Sequence, residues 1–453
     1  MRIPMKIAVL AGVLACAGLA SRAQDKPEDF RPPVMNVQQE TLANGLRVMM
    51  LEEHQVPVIN LQVWYHVGSK DELPGHSGFA HLFEHLMFKG SAHVGPDEMS
   101  RIIEGIGGFD NAYTTDDTTV FFETFPSNYL ERVTWLEADR MGSLNVDDDN
   151  FKSEREVVKE ERRLRIDNRP YGLIQEDLYA AAFHVHPYHH TTIGSIEDLD
   201  KATVADVRQF HDTFYKPNNA TLVIVGDFQP GEALAWAKKY FEGIPASAGP
   251  IPRTAQPEPA QEQQQVVNKS YSNSPLPAVV IGYKMPARYA PDSNALDMTS
   301  NILAGGESSR LYQALVYKDR IAVAAGGTGF FTEDPNLFWA YAIMNQGHTP
   351  AEGEQAVVSI LEELKGSPVG AKELEKAKNQ EIADFILERE TDQEKADAIG
   401  AAAVLGKDAN LVNSELERYV KVTAEDVQRV ARQYFVKQQS TVLLITPAPA
   451  AEK

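Results

Sequence analysis

An α+β fold of two homologous halves, each a β-sheet covered by helices, is the fold class that three patterns in this sequence predict. The first is an internal duplication: residues 201–210 (KATVADVRQF) recur as 421–430 (KVTAEDVQRV), and 221–225 (TLVIV) recur as 441–445 (TVLLI), at a constant offset of 220. Each copy reads as a helix capped by Thr203 or Thr423, then an aromatic pair, then a β-branched strand. The second pattern is the order of elements, with strand runs at 46–51 and 57–67 and helical runs around 77–89 and 127–142. The third is a stretch at 246–265 that carries Pro250, Pro252, Pro257 and Pro259 and ends rich in glutamine. Such a composition cannot bury a core and suits a semi-extended linker. The expected organisation is an amino-terminal domain over 37–245, the linker, and a homologous domain over 266–448.

Ahead of these, residues 1–23 read as a signal peptide. Arg2 and Lys6 precede an apolar run from Ile7 to Ala20, and Ser21-Arg22-Ala23 supplies small residues for cleavage. The run is too short and wrongly flanked for a membrane span. Cleavage would remove Arg2, Lys6 and Arg22 and no acid, taking the formal charge from −21 to −24. That surface excludes nucleic acid and anionic membrane as partners and favours neutral or basic peptides. Cys16, the only cysteine, lies in the leader, so the mature chain is expected to have no disulfide and no thiol nucleophile. Val13-Leu14-Ala15-Cys16 fits a lipoprotein cleavage box poorly, and export as a soluble protein, into a bacterial periplasm, is the expected localisation.

The helix near residue 80 carries the chemistry. His81, Glu84 and His85 are spaced i, i+3, i+4, so the three side chains share one face. Two imidazoles one turn apart offer two nitrogen ligands to zinc, and the glutamate between them can reach a metal-bound water as general base; this is the inverted motif H-x-x-E-H. A catalytic site needs a third protein ligand. A second helical stretch, residues 148–163, ends before Pro170 and presents Glu154 and Glu161 on one face, two turns apart. Glu160 competes with Glu161 as ligand, and Glu156 reads as surface charge. The acids 147–149 suit the positive end of that helix.

Here the chain resembles the pitrilysin/insulinase family of zinc peptidases, which includes the mitochondrial processing peptidase: the H-x-x-E-H motif is followed, 76 residues after His85, by a glutamate in a segment like E-x-x-V-x-x-E-E. The resemblance implies one Zn2+ per chain, held by His81, His85 and Glu161, with Glu154 supporting the site and Glu84 moving the proton during peptide hydrolysis. It extends to Asn44-Gly45-Leu46-Arg47-Val48 and to the block from Gly107 to Thr114. Family members bind peptide by strand addition near an Asn-Ala-aromatic segment, which makes Asn111, Ala112 and Tyr113 the substrate-binding candidates. No other cofactor is implied. The clustered histidines His184, His186, His189 and His190 resemble a family loop rather than a second metal site; His76 and His93 read as surface, and His66 as a strand residue that could line the cleft.

The second copy departs from the first. Alignment of Leu86-Met87-Phe88-Lys89-Gly90 with Ile302-Leu303-Ala304-Gly305-Gly306 sets Asp297, Ser300 and Asn301 where the motif stands, so the metal chemistry belongs to the amino-terminal half. Active family members also carry an arginine and a tyrosine seven apart that close over the peptide; here Val316 and Val323 stand at both positions, Arg310 matches a structural arginine, and neither Tyr317 nor Arg320 keeps the register. Two domains are half of the family's four-domain clamshell. The resemblance therefore implies a catalytic subunit completed by a homologous two-domain partner, with a homodimer the lesser possibility. The competing readings are a non-catalytic assembly subunit of the same fold and a periplasmic zinc carrier.

Overall fold

The first half folds as strands β1 (Gln38–Thr41), β2 (Arg47–Glu52) and β3 (Val58–Tyr65), then helices α1 (Phe79–Leu86) and α2 (Glu98–Gly105). Strands β4 (Phe109–Thr114) and β5 (Thr119–Pro126) follow, then α3 (Leu130–Ser143), α4 (Asp148–Arg162), α5 (Ile174–Ala182), α6 (Ile196–Lys201) and α7 (Val204–Phe214). It closes with β6 (Ala220–Gly226) and α8 (Pro230–Phe241). The second half runs β7 (Gln265–Tyr271), β8 (Ala278–Met285), α9 (Ser293–Ala304), β9 (Ala322–Gly329) and β10 (Asn336–Met344). It ends with α10 (Pro350–Gly366), α11 (Ala371–Leu387), α12 (Asp392–Val404), α13 (Glu415–Val420), α14 (Ala424–Tyr434) and β11 (Ser440–Pro447). This computed structural model describes residues 32–253 and 256–448; the leader 1–23 with Cys16 lies outside the described residues.

The duplication is visible in the sheets. Six strands are ordered β1-β2-β6-β3-β5-β4 and five are ordered β7-β11-β8-β10-β9, each with one parallel pair, β2 with β6 and β7 with β11. The helices α7 and α14 both open on a capping box, Thr203 with Asp206 and Thr423 with Asp426, as the repeat implied. Between α8 and β7 the described residues form no helix or strand.

Helices on one face of each sheet would follow from alternating strands, but β6 and β8 are apolar at both parities and β3 is buried at both, so both faces need cover. On one face of the first sheet, Val48, Leu61, Val63, Leu222 and Ile224 pack with Phe79, Leu82 and Phe83 of α1 and Phe210 of α7. On the other face, Met49, Leu51, Trp64, Val223 and Val225 pack with Ala396, Ile399, Ala402 and Ala403 of α12, a helix of the second half. The second sheet is treated reciprocally. Val279, Ile281 and Phe338 face its own helices, while Val280, Leu337, Leu443 and Ile445 are covered by Leu178, Tyr179 and Ala182 of α5 from the first half. Each half thus lends a helix to the other's sheet, and the linker is not the only connection between them.

A buried ionic cluster joins the halves as well. Lys70 Nζ lies 2.8 Å from Asp117 Oδ1, 2.7 Å from Glu333 Oε2 and 3.1 Å from Asp334 Oδ2, and His66 Nε2 lies 2.7 Å from the same Glu333 oxygen. The Glu333 amide donates to Asp117 Oδ2 at 2.8 Å, and Tyr188 Oη donates to Asp117 Oδ1 at 2.6 Å. His66 is therefore tied into this cluster instead of lining an open cleft. Burial acts against ionisation of Glu333, but His66 and Lys70 outweigh it and hold the carboxyl at about 2.

Two expectations follow from these contacts. A Cβ on Gly400 of α12 would stand 2.1 Å from Trp64 Cε2, so Gly400→Leu is expected to destabilise the chain by at least about 1–3 kcal/mol in urea unfolding, through overpacking at the helix–sheet seam. Glu333 has a folded-state value below its unfolded one, so its stabilisation is fully present above about pH 4.5 and is lost as pH falls from there toward about 2. Glu333→Gln should therefore cost about 2–3 kcal/mol at pH 7, and its deficit against the native chain should shrink toward pH 3 when unfolding is followed across that range.

Candidate metal centre

Eight residues form α1, and its two faces have separate tasks. Phe79, Ala80, Leu82, Phe83 and Leu86 are buried in the core, which leaves His81, Glu84 and His85 turned the other way. So short a helix needs external fixing. Its N-terminal amides find it in Glu72, whose carboxylate accepts from Gly78 N–H at 2.9 Å and Ala80 N–H at 2.8 Å. Gly78 has φ +93, the left-handed region, and a Cβ there would meet Ile193 O at 2.7 Å. Burial lifts the Glu72 carboxyl well above the ordinary range, against the pull of those two amides.

Across from α1 lies α4, whose N-cap Asp147 accepts from the amides of Asp149 at 3.0 Å and Asn150 at 2.8 Å. Phe151, Glu154 and Val158 are buried on the side toward α1, and Glu161 continues that stripe at 16% side-chain exposure. Glu161 Oε2 lies 3.2 Å from His85 Nε2 and 3.6 Å from His81 Nε2. Glu154 Oε2 is 3.5 Å from the other ring nitrogen, His85 Nδ1, and its second oxygen is 3.3 Å from Lys89 Nζ. Glu84 Oε2 accepts from Thr114 Oγ1 of β4 at 2.6 Å. His81, Glu84, Glu161, Arg165 and residues 112–114 line one cavity of about 290 Å3.

The electrostatics suit a cation. Burial and the neighbouring His85 pull His81 down to about 4. Burial also disfavours charge on His85, but its hydrogen bonds to Glu154 and Glu161 push it up to about 9. Hydrogen bonding to His85 lowers Glu161, and in Glu154 the same partner with Lys89 overcomes the effect of burial. Burial raises Glu84 above the usual glutamate range, against its bond from Thr114, a shift in the direction useful to a proton acceptor.

These residues fit a metal ion. Among the described residues, His81, His85 and Glu161 are the one group of histidine, cysteine or acidic side chains whose ligand atoms converge within 4.8 Å. Tetrahedral bonds of about 2.0–2.1 Å place ligand atoms roughly 3.3 Å apart, close to the two separations from Glu161. His81 Nδ1 is buried with no hydrogen-bond partner in the protein, and its Nε2 faces the cluster. Glu160, the rival ligand, instead pairs with Arg163 at 3.1 Å in solvent, and Glu156 pairs with Lys159 and Arg155.

Asn111, Ala112 and Tyr113 lie on β4, an edge strand that pairs only with β5. Ala112 packs on the α1 side, whereas Tyr113 packs edge-on against Trp64 on the α12 side, in a cavity of about 720 Å3 between the halves. The clustered histidines do not converge: His186 is 3.4 Å from Asp334, and His190 is 3.7 Å from Glu72. His76 packs on Phe79, and His93 pairs with Asp139 at 2.6 Å. In the second half, Asn301 Nδ2 donates to Glu381 Oε1 at 3.0 Å and Asp297 accepts from Tyr419 Oη at 2.6 Å, so neither converges with a third metal ligand. Val316 is partly buried in the second core, Val323 is half-exposed on β9, and Arg310 is paired with Glu373 at 2.7 and 2.8 Å.

Thr114, Lys89 and Arg165 were not singled out from sequence. Thr114 follows from strand alternation with Ala112, and Arg165 from its i+4 spacing to Glu161; for Lys89, beyond the end of α1, sequence carries no comparable signal.

Residues 47–195 match the family described as Insulinase (Peptidase family M16), and residues 201–381 match the description Peptidase M16 inactive domain. The Zinc protease PqqE of Helicobacter pylori (strain ATCC 700392 / 26695) is 35% identical over 411 residues, which cover 90% of this chain and 92% of that protein. The Probable mitochondrial-processing peptidase subunit beta of Arabidopsis thaliana is 24% identical over 418 residues, 90% of this chain and 78% of that one. A crystal structure of a protease from Helicobacter pylori superposes with a TM-score of 0.87 at 34% identity, covering 92% of this chain and all of the other. With both family patterns in order along it and a 35% identical relative spanning nine tenths of it, the chain belongs to peptidase family M16, the insulinase family.

Proposed function

We propose that this chain is a zinc metalloendopeptidase that hydrolyses extended peptides, and that it is the catalytic subunit of a dimer whose homologous partner supplies the missing arginine and tyrosine. The observation that carries this reading is the convergence of His81, His85 and Glu161, with Glu84 lining the same cavity as His81 and Glu161. A pure metal carrier has no use for Glu84 held by Thr114 beside the ligands.

His81, His85 and Glu161 would hold the zinc and Glu154 would orient His85 through Nδ1. Bound there, zinc would supply an acidified water and a Lewis acid for the scissile carbonyl. Glu84 would serve as the proton carrier, accepting a proton from the attacking water and returning it to the leaving amine. The open edge of β4 at Asn111, Ala112 and Tyr113 aligns the peptide as an added strand by main-chain hydrogen bonds, which fixes the backbone and demands little of the side chains. Export to the periplasm by way of the 1–23 leader belongs to this reading. Among the described residues no helix is long and apolar enough to cross a membrane.

One observation favours a second reading. Valine at 316 and 323 removes donors to a developing oxyanion, a contribution often worth about 2.7–4 kcal/mol, and a non-catalytic assembly subunit would tolerate that loss.

Two outcomes test the proposal. Glu84→Gln is expected to keep one zinc per chain while hydrolysis of a quenched fluorescent peptide library falls at least ~10²-fold; equal turnover by native chain and variant would overturn the enzyme reading. Addition of a homologous two-domain chain that bears the arginine and tyrosine but lacks H-x-x-E-H is expected to raise the rate ~10²-fold or more; full activity of the chain alone would remove the need for a partner, and silence with zinc bound in both settings would favour the assembly subunit.

A further inference from the structure

A carboxylate has two oxygens, and how many of them turn toward a metal decides how many coordination positions stay open. The two oxygens of Glu161 have different partners. Oε2 faces both imidazoles, at 3.2 and 3.6 Å, whereas Oε1 is held 2.7 Å from Arg165 Nη1. A zinc site that activates water needs three protein donors and one position for water, and a glutamate chelating through both oxygens would add a fifth donor that crowds that position.

The backbone that carries Arg165 is specialised. Residues Arg163–Asp167 form a π-helical turn in which the Asn168 amide reaches Arg163 O at 2.8 Å, an arrangement frequent at functional sites. The following loop presses on that turn: a Cβ on Gly172 would stand 2.1 Å from Ile166 O. Arg165 is 69% exposed, too exposed for its ion pair to contribute much to stability, yet its side chain lines the cavity of His81 and Glu84. Among the described residues its one ion-pair partner is Glu161. Glu154 shows the same division of labour, one oxygen toward His85 and the other toward Lys89.

We infer that Arg165 is a positioning residue for the metal centre, which holds Glu161 as a one-oxygen ligand and so keeps the metal at four donors, with the water's position uncrowded in the cavity that Glu84 lines. This rests on the zinc reading of the site. Arg165 acts through Glu161, and the consequence is a change in coordination number rather than in fold.

Cobalt(II) in the full chain reports that number, because four-coordinate cobalt absorbs visible light several-fold more strongly than five-coordinate cobalt. Arg165→Ala is expected to bind one cobalt with a several-fold weaker visible band, to shift metal affinity about tenfold in chelator competition, and to lower kcat about ten- to a hundredfold with KM nearly unchanged. Arg165→Lys, which restores a cation to Glu161 Oε1, should recover the band and most of kcat. A native spectrum in Arg165→Ala, or a weakened band that lysine does not restore, overturns the inference. His81→Ala serves as the separate control: its failure to perturb cobalt binding would overturn the metal-site reading itself, whereas loss of cobalt there with an unchanged Arg165→Ala spectrum would overturn only the role of Arg165.

Discussion

The carboxylate of Glu72, sealed from solvent under the first turn of α1, is the contact on which the metal centre's geometry depends. Two helical turns cannot hold their own direction in water, so α1 borrows it from the core beneath and from Glu72 at its end. That end is crowded as well as capped. Gly194 approaches so closely that a Cβ there would lie 2.3 Å from Gly78 N, and Ser77 donates to Asp198 at 2.6 Å. The segment that delivers Gly194 also contains Tyr188, whose hydroxyl is bound to Asp117 in the ionic cluster reaching Glu333. Polar contacts and close backbone packing along this one segment therefore link the seam between the halves to the helix that bears the two imidazoles. Each polar member is costly to leave unpaired, and this makes the arrangement specific.

Sequence revealed α1, α4 and the duplication because each rests on a local period or on a repeat at constant offset. Phe79, Leu82, Phe83 and Leu86 mark one face of α1, which leaves His81, Glu84 and His85 no other direction. The exchange of α5 and α12 between the halves was not legible. In α12, Ala396, Gly400, Ala402 and Ala403 are small all round, so no stripe announces a face, and the partner that selects one is Trp64, more than 300 residues away. Both-faced burial was hinted at by the unbroken apolar run of β6, but which helix covers the second face is a property of the tertiary structure. Arg165 escaped for a related reason: its role depends on which oxygen of Glu161 turns inward, which no spacing rule contains.

Charge placement explains why so many carboxylates can crowd one cavity wall. Glu84, Glu154 and Glu161 surround two imidazoles, and three buried anions without compensation would be expelled or neutralised. Each has a different remedy. Glu154 has Lys89 and Glu161 has Arg165 in direct ion pairs, whereas Glu84 has the hydroxyl of Thr114 as its bonded partner. The least compensated of the three is the one displaced upward, and it is the one a proton-transfer role requires. Lys89 and Arg165 sit on the outer oxygens, so their charge steadies the ligands without competing for the position between them.

The second half clarifies what the first half needs the metal site for. Asn301 on α9 bonds Glu381 on α11 at 3.0 Å, as His85 on α1 approaches Glu161 on α4 at 3.2 Å. A polar bridge between the sheet-covering helix and the long helix outside it is thus common to both halves, made by an amide in one and an imidazole in the other. Chemistry comes only with nitrogen ligands at both positions of one face, and Asp297, bound to Tyr419, does not supply the other. The same comparison locates what the chain lacks. Val316 packs into the second core and Val323 stands on the free edge of β9, and an aliphatic side chain at either place offers no donor to a carbonyl oxygen. On the proposed reading, polarisation of the scissile carbonyl then falls to the metal and to donors brought by a second chain, which makes two molecules the natural unit of activity.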